Sequence, residues 1–151
     1  MNYEEAAIGV ALAARAVGLQ AVISFTLETD GRLPNGISLQ QAIERTDAET
    51  DGYPAYYMIN CAHPTHFDSV LVAGERWLNR IGGLRANASM RSHAELDEAT
   101  ELDAGNPAEL AGQYRALRSR LPKLGVVGGC CGTDHRHVAA VCSLLALSAP
   151  H

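Results

Sequence analysis

Four cysteines stand in this chain, and three of them sit where strands are expected to end: Cys61, and the adjacent pair Cys130 and Cys131. Neighbouring cysteines make a strained disulfide with each other, so the pair reads as buried, catalytic or metal-binding. Three thiolates suit zinc, a borderline-soft ion that takes sulfur and nitrogen ligands in tetrahedral geometry. Three protein ligands leave one position open, and an exogenous thiol entering it would lose its proton at neutral pH. The plainer alternatives are two small buried residues at a strand end for Cys130 and Cys131, and a buried structural thiol for Cys61 taken alone.

Helical and strand-like segments alternate along the chain and would position these thiols. Residues 4–17 read as a helix with Ala6, Val10, Ala13, Ala14 and Val17 on one face and Gly18 as its stop. Residues 21–27 read as a buried strand. Ser38 and Gln41 form a capping-box pattern that opens a helix through about residue 45. Residues 56–60 give the second strand. The spacing of Val70, Leu71, Gly74, Trp77, Leu78 and Ile81 predicts a helix over 68–81. Residues 83–89 are expected as a third strand, and the polar stretch 90–105 as a loop. Within it the acidic run 95–103 is a solvated face or a lid. Asn106, Pro107 and Glu109 start a helix to about 121, and 124–128 is the fourth strand. Thr133 or Asp134 caps a last helix whose apolar face is Val138, Val141, Cys142 and Leu145, with Cys142 in the core.

Repeated βα units imply parallel strands with right-handed crossovers, an α/β fold. In such a sheet Cys61, Cys130 and Cys131 emerge on the same C-terminal rim, where α/β proteins place their sites. Gly128, Gly129 and Gly132 allow the tight backbone that lets two adjacent sulfurs reach one ion. The glycine run before a helix could instead cradle a phosphate, but it lacks a P-loop lysine.

Other residues near these motifs read less sharply. Asn60 and Asn87, at strand ends on the same rim, are candidates to meet substrate, with ordinary backbone hydrogen bonding as the alternative. His63, His66, His135 and His137 read as residues around the site or on the surface, with His63 able to orient a ligand. His93 and His151 are expected in solvent, and Trp77 in helix packing.

Composition bounds the class. The 151 residues are 47% hydrophobic and 19% charged, which fits one globular domain. A net charge of -5 argues against a nucleic-acid or acidic-membrane partner. The N-terminal MNYEEAA has no basic region, and apolar runs are too short to span a bilayer, so a cytoplasmic protein is expected.

The motifs MINCAHP at 58–64 and GGCCGTDHRHV at 128–138 resemble the two zinc-ligand motifs of the homocysteine S-methyltransferases. ISFTLETDGRLPNG at 23–36 resembles the strand and loop preceding the family's first ligand. The resemblance covers essentially the whole chain. It implies Zn2+ on Cys61, Cys130 and Cys131, homocysteine and a small methyl donor as partners, and methionine as product. It also implies a β/α-barrel fold. Only four strands are expected here, so the chain reads as a (βα)4-type half of a TIM-like barrel, one partial domain over 1–151, resembling the family's C-terminal half. A half barrel favours a homodimer or a complementing N-terminal half. Where the family's last motif carries a proline after the threonine region, this chain has His135 nearby. Two further readings remain at this stage: an inert truncated zinc-binding half barrel, and a thiol- or redox-responsive protein.

Overall fold

A computed structural model describes residues 1–146. Six helices and four strands alternate: α1 Glu4–Ala16, β1 Val22–Thr26, α2 Leu39–Thr50, β2 Tyr56–Asn60, α3 Pro64–Phe67, β3 Ile81–Ala86, α4 His93–Asp97, α5 Pro107–Arg118, β4 Val126–Gly129 and α6 His135–Ala146. Two 3₁₀ turns, Asp68–Val70 and Arg76–Arg80, lie between α3 and β3. The strands form one sheet in the order β1-β2-β3-β4, parallel throughout. The expected parallel α/β architecture is present.

The two faces of the sheet differ. Ile23, Phe25, Tyr57, Ile59, Leu84 and Ala86 point to one face and are buried with residues of α1, α2, α5 and α6. Phe25 and Tyr57 stack there with ring centroids 5.9 Å apart. Tyr57 donates its hydroxyl to Asp47, which also takes a two-pronged ion pair from Arg80. The opposite face presents two rows in register: Ser24, Met58, Gly83 and Val126, then Thr26, Asn60, Arg85 and Gly128. No helix among the described residues covers this second face, and Val22 and Val126 are 41% and 40% exposed. Met1 lies along the outer edge of β1, its ammonium donating to Ser24 O and its carbonyl accepting from Thr26 N–H.

Four expectations are corrected. The helix predicted over 68–81 does not form. Gly74 adopts a φ of +91°, which breaks the helical path, and Ile81 already belongs to β3. Helix α1 buries Glu4, Ala7 and Ala11 instead of Ala6, Val10 and Val17. Its apolar residues occur on every side, so periodicity alone did not select the face that meets α2. Helix α6 buries His137, Val141 and Leu145, leaving Val138 and Cys142 exposed. Cys142 is therefore not a core residue. Finally, the stretch 90–105 is not all loop, because Ser92 and Glu95 form a capping box that starts α4.

Candidate metal centre

Each cysteine is delivered by the end of a strand. Cys61 follows β2 directly. Its N–H still donates to Arg85 O on β3 at 3.1 Å, while its own φ of +54° turns the chain out of the sheet. That left-handed conformation costs a non-glycine residue about 1 kcal/mol or somewhat more. Cys130 follows β4 and extends the β3–β4 ladder by donating to Ala86 O at 2.9 Å. Its carbonyl accepts from both the N–H and the hydroxyl of Thr133, which closes a turn. Gly132 has a φ of +77° and packs against the carbonyl of Asp103, where a Cβ would collide. Gly129 likewise has no room for a Cβ, because the Thr133 side chain occupies that space.

One buried asparagine ties the two thiol loops together. Asn87 donates its N–H to Ala62 O at 3.0 Å, and its side-chain oxygen accepts from Cys131 N–H at 3.2 Å. Cys131 O in turn accepts from Ala88 N–H. The loop after Cys61, the end of β3 and the Cys130–Cys131 turn thus share one hydrogen-bonded frame.

Within this frame the sulfurs of Cys61, Cys130 and Cys131 all lie within 4.8 Å of one another. They form the one such group of three or more potential ligands found among the described residues. Cys61 and Cys130 are half-buried and Cys131 is exposed, so the cluster opens to solvent on one side. Tetrahedral zinc with Zn–S bonds of about 2.3 Å sets its sulfurs about 3.8 Å apart. The three thiols therefore fit a zinc ion with side-chain adjustments on the order of an ångström. Burial and the hydrogen bond with Cys130 push the Cys61 thiol above its usual pKa. A cation among the sulfurs reverses that preference, because it stabilises the thiolates.

The remaining residues divide sharply. Asn60 has both ends of its amide engaged: its oxygen accepts from Ser24 Oγ at 2.5 Å and its nitrogen donates to Thr26 Oγ1 at 3.2 Å. Those bonds lie on the open face, one residue before Cys61. His63 is buried and caps α3, its Nδ1 accepting from Thr65 N–H. Burial and the neighbouring His66 pull its pKa down to about 4, so the ring is neutral at pH 7. His66 bonds Met90 O, and His135 is exposed. His137 is buried, and its Nε2 meets Ala104 O at 2.7 Å, pinning the 90–105 segment against α6. His93, expected in solvent, is instead hydrogen-bonded through Nε2 to Cys61 O and through Nδ1 to Glu28. It joins α4 to the cysteine loop. His151 lies outside the described residues. Trp77 is buried, as packing requires, though in a 3₁₀ turn.

The family model for homocysteine S-methyltransferase matches residues 1–145 of this chain. The chain belongs to that family. Searches of curated proteins and of solved structures found no match. Family membership makes the chain a relative of methyltransferases that act on a thiol, and gives the three converging sulfurs a chemical context. No helix among the described residues is long and apolar enough to cross a membrane.

Proposed function

We propose that this chain carries a zinc-dependent site for moving a methyl group from a small donor to the thiol of homocysteine, giving methionine. The observation that carries the reading is the approach of three sulfurs to within 4.8 Å in a member of this family. Cys61, Cys130 and Cys131 would hold the ion. Bound there, zinc supplies the positive charge that lowers the pKa of a thiol substrate.

The chain's own residues prepare that place. Asn87 fixes Cys131, Gly132 allows the close approach of the turn to Asp103, and His93 holds the carbonyl of Cys61. The exposed side of Cys131 leaves access for the acceptor. The substrate sulfur then attacks the donor's methyl carbon. The carbon–donor bond breaks, its electron pair leaves with the donor, and the thiol proton goes to solvent. No general base on the protein is needed for that displacement.

The four parallel strands further support reading the chain as a (βα)4 half of a β/α barrel, one partial domain completed by a second copy or by a complementing half. The uncovered sheet face favours a second reading, a zinc-binding half barrel without turnover when alone.

Zinc per chain in reduced protein, by plasma mass spectrometry, tests the site, together with methyl transfer to homocysteine from a panel of sulfonium, betaine-like and folate donors. One zinc per chain, lost in Cys130→Ala, with homocysteine-dependent turnover is the expected result. Zinc without turnover selects the second reading. No zinc after reconstitution overturns both.

A further inference from the structure

Arg85 is the charged side chain on the open face of the strands. The face carries Ser24, Met58, Gly83 and Val126 in one row and Thr26, Asn60, Arg85 and Gly128 in the next. Every other residue of these two rows is uncharged. Arg85 is exposed, and no hydrogen bond or ion pair to another described residue engages its guanidinium. Elsewhere the arginines that fasten this fold are paired, as Arg45 is with Glu4 and Arg80 with Asp47.

Its position is tied to the sulfurs. The Arg85 carbonyl accepts from Cys61 N–H at 3.1 Å, so the two residues are locked in register. Its stem passes beside Gly128, where a Cβ would stand 3.7 Å from Arg85 Cγ. Gly128 lies two residues before Cys130, and β3 sets the arginine between the two strands that lead into the thiol loops.

We propose that Arg85 binds the carboxylate of the thiol substrate held at the cysteine cluster, and so selects an amino-acid thiol over a carboxylate-free one. Guanidinium and carboxylate match as a planar, two-pronged charge-assisted pair. Homocysteine carries its carboxylate three carbons from the sulfur, within reach of a long side chain beside the cluster. The assignment rests on the acceptor reading given above.

The test compares homocysteine with 3-aminopropane-1-thiol, which keeps the thiol, chain and amine but lacks the carboxylate. Binding of each to zinc-loaded protein is measured by calorimetry for wild type, Arg85→Ala and Arg85→Lys, with zinc content as the control on folding. Arg85→Ala should weaken homocysteine about tenfold or more and leave the carboxylate-free thiol within about twofold. Arg85→Lys should recover part of the loss. Equal effects of Arg85→Ala on both thiols, or none on either, overturn the proposal. So does a wild type that binds the two thiols equally, and that outcome leaves the thiol-acceptor reading standing. A zinc-loaded wild type that binds neither thiol overturns the acceptor reading and this assignment with it.

Discussion

Asn87 is the residue on which the two thiol loops depend. It is 1% exposed, and its side-chain oxygen accepts the N–H of Cys131 while its backbone joins Ala62. Alanine there removes the acceptor and leaves the turn of Cys130 and Cys131 free to open. Groups that orient metal ligands from behind are worth roughly 10–100-fold in affinity. Asn87→Ala should therefore weaken zinc by about that factor in a competition titration with a chromophoric chelator. Its circular dichroism should stay native. Unchanged affinity would show that the backbone ladder alone holds the turn. The role of Asn87 was only half legible in the sequence. Its place at a strand end on the rim suggested substrate or backbone, and the hydrogen bond to Cys131 needed the three-dimensional pairing of β3 with β4. His93 was hidden for the same reason, since a histidine 32 residues from Cys61 gives no local sign of bonding its carbonyl. The cysteines themselves were legible, because residues that follow parallel strands must emerge on one rim.

At the scale of elements, hydrophobic spacing located every strand, and the bounds of β2 match residue for residue. Spacing failed where tertiary demands overrode it. The segment 68–81 has helical periodicity, yet the chain must return from the rim to the start of β3 in a limited path. It does so with two short turns around Gly74, whose φ of +91° is open to glycine and strained for other residues. Gly9, by contrast, sits in α1 with helical geometry and nothing within 4 Å of an added Cβ. The same substitution should act with opposite sign at the two places. Gly74→Ala should cost about 1–2 kcal/mol from the left-handed conformation, and Gly9→Ala should add roughly 0.5–1 kcal/mol from helix propensity. Urea unfolding midpoints measure both. A neutral Gly74→Ala would mean that the turn has freedom to adopt another path. The capping box of Ser92 and Glu95 shows the reverse lesson: its signal is in the sequence, as plainly as that of Ser38 and Gln41, but the short α4 lacks the apolar periodicity that would announce a helix.

The whole molecule is set by the difference between its two sheet faces. Parallel sheets are ordinarily covered on both, because the crossovers that connect their strands bring helices with them. Here every crossover packs on the face of Phe25, Tyr57 and Leu84, and among the described residues the face of Met58 and Val126 has no helical cover. Such a sheet would be completed if its edge strands met partner edges and the open faces turned inward. A two-fold axis parallel to the strands would set β4 of one copy beside β1 of the other and close eight strands. Met1 now occupies part of the β1 edge, at Ser24 and Thr26, and would have to yield there. The chain is accordingly expected to associate at micromolar concentration, which sedimentation velocity would reveal as a species heavier than the 16.1 kDa monomer. Val126→Lys places a charge at the β4 edge, on a residue already 40% exposed, and should shift the equilibrium towards monomer without unfolding the chain. Apolar dye binding should rise in step as the open face is uncovered. A wild-type chain that stays monomeric over this range and binds no dye would sink the closure reading, because the sheet would then be stable with one face in water.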